Sequence, residues 1–229
     1  GDISVSLWRG AYTIEDVDLQ KTTGKVPVPL FKAPRVDLSV EWGELFHGAL
    51  SLRTALARRS PGRAIDARSV LVTCGAAQAI ALAALAVVDQ GDVVAVETPS
   101  WDFMLHDLRE AGAEVARVSL DDEGPSIDEI VAVADRAASE GRRLKLLYTI
   151  PTFNVPTGRT TTEARRRQLL DLAVERGFWI LEDDVYGALR YSGDAVPTLF
   201  ELDTDGVVIR VDSFSKTISP ALRTGWALA

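Results

Sequence analysis

The sequence predicts an α/β fold, a three-layer α/β/α sandwich built on a mainly parallel sheet of seven strands. Two observations support this class. From residue 69 onward, short apolar runs of strand length alternate with longer segments whose apolar residues recur at helical spacing. Glycines and polar clusters separate these segments, as they do at the ends of helices and strands. Such alternation is typical of parallel sheets that are covered by helices on both faces.

The individual elements follow from the same pattern. Strands are predicted at residues 69–74, 92–97, 114–118, 144–149, 178–182, 207–212 and 224–229. Helices are predicted at residues 76–89, 101–111, 126–140 and 162–176. Thr162 followed by Glu163 favours a helix start, and Gly177 favours a helix end. The basic run at residues 165–167 is interpreted as a solvated helix face.

The first part of the chain is predicted to be different. Residues 1–45 are interpreted as an N-terminal arm or connector, and residues 46–229 as one large domain. Residues 22–29 contain a glycine and two prolines and indicate an extended connector. A helix is predicted from Trp42 to Arg59. No site residue is assigned to residues 1–68.

Composition excludes several classes of protein. With 229 residues, 47% of them hydrophobic, the chain can bury a large core. A net charge of −8 argues against a nucleic-acid surface, which needs clustered lysine and arginine. The single cysteine, Cys74, excludes an internal disulfide framework and favours a reducing cytoplasm. The chain has two histidines and no Cys/His cluster, so no metal site is predicted. No apolar run reaches the roughly 18 residues that a membrane span needs.

The segment Ser213-Phe214-Ser215-Lys216 is followed by Arg223. One lysine therefore lies among hydroxyls, with a guanidinium nearby. An unprotonated lysine amine attacks carbonyls, and arginine and hydroxyl groups bind phosphate. The grouping favours Lys216 as the Schiff-base residue of an aldehyde cofactor that carries a phosphate.

Further polar groups follow other predicted strands, where open α/β sheets bind ligands. Asp183, Asp184 and Tyr186 follow one apolar run, and Asn154 lies in a proline-rich turn after another. Trp101 ends a third run and could stack on a planar heterocycle.

A glycine turn completes the pattern. Gly75, Ala76 and Ala77 open a helix whose unpaired N–H groups favour a phosphate. Each group also has an ordinary interpretation, such as a strand-capping carboxylate pair, a core tryptophan, a packed alanine helix or a surface arginine. Their joint occurrence favours a cofactor site.

In this order the motifs resemble the large domain of fold-type I pyridoxal-phosphate enzymes, the aspartate-aminotransferase-like large domain. More narrowly they resemble class I/II aminotransferases, in the branch of aminoadipate and kynurenine aminotransferases and MocR-type regulators. The resemblance covers residues 69–229. It implies that Lys216 forms the Schiff base with pyridoxal 5′-phosphate, that Asp183 pairs with the pyridine nitrogen, and that Tyr186 binds the cofactor O3′. It also implies cofactor contacts from Gly75, Ala76, Ala77, Trp101, Ser213, Ser215 and Arg223.

One position departs from the family pattern. Members usually have asparagine before the Pro-Thr-Gly of the turn, where this chain has Val155. Valine cannot donate a hydrogen bond to the cofactor O3′. Either Asn154 reaches in from the adjacent position and binds the cofactor, or Tyr186 is the only O3′ partner.

The resemblance implies an aminotransferase that moves an amino group between an L-amino acid and a 2-oxo acid, acting as a cytoplasmic homodimer. It implies that residues 46–229 are the PLP-binding large domain, and that the last strand runs antiparallel. Family members are about twice as long, so a C-terminal small domain, with its substrate-carboxylate arginine, is expected to be absent from this sequence. Two alternatives stay open: an effector-sensing domain of a MocR-type regulator, suggested by Val155, and another PLP reaction, such as an oxidase, decarboxylase or cyclase reaction.

Overall fold

The structure is a computed structural model that describes residues 3–6, 11–20, 29–39, 48–57 and 62–229. The chain divides into two compact units, Gly1–Ala55 and Leu56–Ala229. The first unit contains an antiparallel sheet in the order β1-β2-β3, for which the sequence predicts no strands. Its strands are β1 (Ile3–Ser6), β2 (Ala11–Gln20) and β3 (Pro29–Ser39).

Two predictions for the N-terminal region fall partly outside the described residues. Of the predicted connector at residues 22–29, only Pro29 is described, and it begins β3. Helix α1 (Gly48–Ala57) lies inside the helix predicted from Trp42 to Arg59, whose remaining residues are not described.

The second unit is built on a seven-stranded sheet in the order β4-β10-β9-β8-β7-β5-β6. Neighbours from β9 to β6 run parallel, whereas β10 runs antiparallel to both β4 and β9. This confirms the α/β class, the seven strands and the antiparallel last strand. The strands are β4 (Val70–Thr73), β5 (Val93–Thr98), β6 (Glu114–Ser119), β7 (Leu144–Thr149), β8 (Trp179–Asp183), β9 (Val208–Ser213) and β10 (Gly225–Leu228).

Helices cover both faces of this sheet. One core cluster contains residues of α2 and α3, and the other contains residues of α4, α5 and α6. Successive strand residues such as Leu146 and Leu147 alternate between the two clusters, as expected when both faces of a sheet are buried. The helices are α2 (Ala76–Val87), α3 (Met104–Glu110), α4 (Ile127–Ser139), α5 (Glu163–Arg176) and α6 (Leu199–Leu202).

The helix boundaries have local causes. Thr162 caps α5 by accepting a hydrogen bond from Arg165 N at 3.2 Å, and Gly177 ends the helix with φ 71°. Both residues are the start and end that the sequence indicates. The sequence does not predict α6, because four residues are too short to show a helical period; a capping box of Thr198 and Glu201 stabilises it. Within the residues that the structure covers, no helix combines the length and apolarity that crossing a bilayer requires.

The interpretation of residues 165–167 as a solvated face is wrong for two of the three arginines. Arg165 and Arg166 are buried, and only Arg167 is exposed. The Arg166 guanidinium donates to the carbonyls of Pro151 and Pro197 and to Thr152 Oγ1. A guanidinium offers five donors, so it can be buried where carbonyl and hydroxyl oxygens accept them. Arg166 thereby fixes the start of the turn that follows β7.

Candidate cofactor site

A cavity of about 220 Å³ lies at the carboxyl ends of β7, β8 and β9 and against the start of α2. This is the edge at which parallel sheets bind ligands. Nine of the eleven predicted site residues line the cavity: Ala76, Ala77, Trp101, Asp183, Tyr186, Ser213, Ser215, Lys216 and Arg223. The lining does not include Gly75 or Asn154, and it does include Val155.

Asp183 is the last residue of β8 and is only 4% exposed. Its Oδ2 accepts a hydrogen bond from Tyr148 Oη at 2.7 Å, whereas its buried Oδ1 has no hydrogen-bond partner among the described residues. Burial raises the pKa of Asp183 to about 6, against the lowering effects of hydrogen bonding to the Tyr148 hydroxyl and the Val185 backbone N–H and of the Lys216 charge. One buried carboxylate oxygen at the cavity is therefore available for a donor on a ligand.

The neighbouring carboxylate, Asp184, has a different partner. It is buried, and its Oδ2 lies 2.6 Å from Arg210 Nη2 in an ion pair. Asp184 does not line the cavity. Adjacent residues at the end of a strand point to opposite faces of the sheet, so only one of the pair reaches the cavity. The geometry agrees with the choice of Asp183 that the resemblance implies.

Lys216 lies in the segment that follows β9, and its side chain lines the same cavity as Asp183. Its Nζ is 5.6 Å from the centroid of the Tyr186 ring. An amine, a phenol and a carboxylate therefore border one small cavity, with the Trp101 indole in another part of its wall. This arrangement provides a nucleophile, a hydrogen-bond donor, an anion and a flat apolar surface for a planar ligand.

The far part of the cavity is suited to an anion. The first N–H groups of α2 have no partner within the helix, and Ser213, Ser215 and Arg223 line the cavity nearby. Arg223 Nη2 donates to the carbonyl of Cys74 at 3.2 Å, which holds the guanidinium against the turn. These groups form a cradle for a phosphate.

Two glycines make this close approach possible. A Cβ on Gly75, whose φ is 85°, would lie 2.9 Å from Arg223 Nη2. A Cβ on Gly225 would lie 2.5 Å from the backbone carbon of Gly75 and 2.7 Å from Ala76 N. Gly75 therefore lies behind the phosphate cradle and does not line the cavity. Because Gly225 has no Cβ, β10 can pack directly against the turn.

Asn154 is held away from the cavity. Its Nδ2 donates to Glu97 Oε1 at 2.7 Å, and its Oδ1 accepts a hydrogen bond from Thr157 Oγ1 at 2.7 Å. Of the two possibilities left open by the sequence, the structure corresponds to the one in which Asn154 does not reach in. Its neighbour Val155 forms that part of the cavity wall.

Sequence reasoning missed Tyr148 and Glu97. Both are fully buried, and each binds a residue that the sequence did single out, Asp183 and Asn154 respectively. A signal existed for each: a phenol and a carboxylate stand inside otherwise apolar strands, and buried polar groups need partners.

The residues present fit pyridoxal 5′-phosphate. Asp183 Oδ1 is a buried acceptor for which the described part of the chain offers no hydrogen-bond donor, so it is suited to a protonated ring nitrogen, and the cradle at α2 is suited to a phosphate. Lys216 supplies an amine to the same cavity. The protein thus has an α/β fold with a cavity whose lining suits a phosphorylated aromatic aldehyde.

Comparison with known proteins gives the family. Residues 45–229 match the family model "Aminotransferase class I and II". The chain belongs to this family, whose members use pyridoxal 5′-phosphate. The predicted resemblance is thereby confirmed.

Three relatives illustrate the relation. Aromatic-amino-acid aminotransferase 1 of Thermococcus litoralis is 37% identical over 185 residues, which cover 80% of this chain and 44% of that protein. An uncharacterised HTH-type transcriptional regulator of Escherichia coli is 34% identical over 222 residues, which cover 92% of this chain and 46% of that protein. Kynurenine aminotransferase of Pyrococcus horikoshii, solved in complex with PMP and with KYN as substrate and KYA as product, superposes with a TM-score of 0.71 at 34% identity and covers 80% of this chain and 45% of that one. The chain thus spans less than half the length of these relatives.

Proposed function

We propose that the protein is a pyridoxal-phosphate-dependent aminotransferase that moves an amino group between an L-amino acid and a 2-oxo acid, with Lys216 as the Schiff-base lysine. Residues 46–229 are the cofactor-binding domain in this proposal, and the enzyme works as a homodimer in the cytoplasm. One observation carries the proposal: the Lys216 side chain and the buried Asp183 carboxylate, with its open Oδ1, border the same cavity.

When bound, pyridoxal phosphate supplies an aldehyde for the amine and a ring that withdraws electrons. Asp183 Oδ1 would accept a hydrogen bond from the ring nitrogen and would keep that nitrogen protonated, because a charge-assisted bond favours the ionic pair. Tyr186 would donate to the cofactor O3′, and the Trp101 indole would offer a flat surface to the ring. The Lys216 amine would hold the aldehyde and, when free and unprotonated, its Nζ would accept a proton from the substrate α-carbon.

The phosphate end of the site holds the cofactor in place. The backbone N–H groups of Ala76 and Ala77 would direct their partial positive charge at the phosphate, and Ser213, Ser215 and Arg223, which line the same cavity, would be its side-chain partners. This anchoring lets Lys216 be displaced without loss of the cofactor.

The Lys216→Ala variant tests the proposal. Wild-type protein mixed with pyridoxal phosphate should show the visible absorbance band of a lysine-bound cofactor, and borohydride reduction should add the cofactor mass to the peptide that contains Lys216. Lys145→Ala is the matched control, because Lys145 pairs with Asp89 and Asp92 instead of lining the cavity. A wild-type band that persists in Lys216→Ala would refute the proposal.

Substrate assays then separate the reactions possible on this cofactor. A panel of L-amino acids should give repeated amino-group transfer only when a 2-oxo acid acceptor is present, because without an acceptor each site keeps the amino group and stops after one equivalent of product. Repeated turnover without an acceptor would point to an oxidase, decarboxylase or cyclase reaction.

A second candidate is the effector-sensing domain of a MocR-type regulator. The E. coli HTH-type regulator aligns over 92% of this chain, against 80% for the T. litoralis aminotransferase, and Val155 removes an expected donor from the cavity. A winged helix-turn-helix encoded upstream of Gly1, together with cofactor binding without turnover, would favour this alternative.

A further inference from the structure

We propose that Glu97 is a positioning residue of the cofactor site. Its buried carboxylate fixes the turn from Ile150 to Gly158 so that Val155, instead of Asn154, forms the cavity wall. The cofactor part of this inference rests on the proposed function, whereas the part that concerns the turn rests on geometry alone.

Glu97 binds three groups of one segment. It lies near the end of β5, beside β7 in the sheet, and has 0% exposure. Its Oε1 accepts hydrogen bonds from Ile150 N at 2.6 Å and Asn154 Nδ2 at 2.7 Å, and its Oε2 accepts one from Thr149 Oγ1 at 2.5 Å. The three donors lie at the end of β7 and in the turn after it, so one carboxylate ties this turn to the neighbouring strand.

Both ends of the Asn154 amide are hydrogen-bonded. Nδ2 donates to Glu97 Oε1 at 2.7 Å and to the carbonyl of Pro99 at 3.5 Å, and Oδ1 accepts hydrogen bonds from Thr157 N and Thr157 Oγ1 at 3.3 and 2.7 Å. The backbone of Asn154 is fixed as well, because its N–H donates to Arg159 O and its carbonyl accepts a hydrogen bond from Gly158 N. With Asn154 fixed in this way, the next side chain, Val155, lines the cavity.

The turn needs such anchors because its backbone is strained. Phe153 has φ 54°, in the left-handed region that non-glycine residues rarely adopt, at a cost of about 1–3 kcal/mol. Glu97 holds the next residue, and Arg190 lies 4.8 Å from the centroid of the Phe153 ring. Arg166 holds Pro151 O at 2.8 Å. Contacts from several elements therefore hold the turn in this strained conformation.

The residue at this part of the cavity wall affects how the cofactor O3′ would be bound. Val155 offers no donor, so Tyr186 is left as the hydroxyl partner of the cofactor O3′. A residue that does not line the cavity thus decides the polarity of the cavity wall.

The first test uses the intact protein without cofactor. Glu97→Gln replaces one acceptor oxygen by an NH₂ group, which faces donors, so at least one hydrogen bond is lost. Amide hydrogen exchange at Asn154 and Gly158 should be faster by about tenfold or more. Glu129→Gln is the control, because the Glu129 carboxylate likewise accepts hydrogen bonds, from Ser119 N and Ser119 Oγ, but binds no residue of the turn. Unchanged exchange in Glu97→Gln would overturn the proposal.

Asn154→Ala keeps the test decisive if Glu97→Gln does not fold. This variant leaves the bonds of Glu97 to Thr149 and Ile150 in place and removes its bond to the Asn154 side chain, together with the two bonds that Asn154 Oδ1 accepts from Thr157. Thr157→Val, which removes the hydroxyl bond to Oδ1 but keeps the Glu97 bond, is its control. Exchange should then rise at Gly158 but not at Ile150. Equal protection at Gly158 in Asn154→Ala and wild type would contradict the inference.

The second test concerns the cofactor. Val155→Asn adds a donor to the cavity wall and should lower the pH midpoint of the absorbance change of bound pyridoxal phosphate, by about one unit. In the double variant with Glu97→Gln the turn is no longer fixed, and this shift should be lost. Equal shifts in the single and double variants would overturn the proposal. If wild-type protein shows no Lys216-dependent band, the proposed function fails, and hydrogen exchange alone decides the role of Glu97.

Discussion

Replacement of Asp183 by asparagine should stabilise the cofactor-free protein at pH 8. Burial raises the pKa of Asp183 from 3.8 to about 6, so the folded state binds this proton more tightly than the unfolded state does. The folded state therefore loses stability as the pH rises through the folded pKa. A shift of about two units corresponds to about 3 kcal/mol, at about 1.4 kcal/mol per unit.

Asparagine should fit the same space. Its Oδ1 can accept the hydrogen bond from Tyr148, and its Nδ2 would take the place of the oxygen that has no partner within the described part of the chain. At pH 8, Asp183→Asn should gain up to about 3 kcal/mol in free energy of unfolding, whereas near pH 4 the difference should shrink below about 1 kcal/mol. The same variant should bind pyridoxal phosphate at least about tenfold more weakly, because the charge-assisted bond is lost.

Urea unfolding of cofactor-free protein at pH 4 and pH 8 measures the first effect, and a pyridoxal phosphate titration measures the second. Asp171→Asn, on the exposed face of α5, is a control that should change neither quantity. An Asp183→Asn protein that is less stable than wild type at pH 8 would refute the reasoning, as would a gain of equal size at both pH values.

Two further changes have defined outcomes. Tyr148→Phe removes the donor to Asp183 Oδ2 and should lower the free energy of unfolding, measured with urea at pH 8, by about 1–3 kcal/mol. If the loss is equally large in the Asp183→Asn background, the hydrogen bond is not its source. Gly225→Ala places a Cβ 2.5 Å from the carbon of Gly75, so the phosphate cradle must shift, and a pyridoxal phosphate titration should show at least about tenfold weaker binding. In Gly141→Ala the added Cβ points into open space, so cofactor binding should be unchanged. The variant should lose roughly 1–2 kcal/mol of stability, because alanine is strained in the left-handed backbone conformation of Gly141.

Much of the second unit could be predicted from local pattern. The alternation of strands and helices, the cap at Thr162 and the glycine exit at Gly177 depend on residues close together in the chain. The antiparallel direction of β10 was expected only from the family resemblance, because strand direction is set by distant pairing that local sequence does not record.

The site was partly predictable for the same reason. Motifs at strand ends indicate which residues gather at one edge of the sheet, as Asp183 and Lys216 do. The partners that orient them are not indicated. Tyr148 and Glu97 stand in apolar strands, and their bonds to Asp183 and Asn154 appear only when neighbouring strands are in register. Arg166 is a similar case. Three adjacent arginines suggest a solvent-exposed helix face, but the Arg166 guanidinium is buried and donates to backbone carbonyls that are distant in the sequence.

The position of β10 has a consequence for synthesis on the ribosome. β4 lies at the edge of the sheet and pairs with β10 alone among the described strands, and Arg223 grips the carbonyl of Cys74 across a separation of 149 residues. The β4–α2 turn is therefore synthesised early, and most of this unit is translated before β10 and Arg223, which pack against the turn, emerge. Under the proposed function, pyridoxal phosphate would bind only after β10 and Arg223 have left the exit tunnel. Such distant pairing also slows folding relative to local contacts.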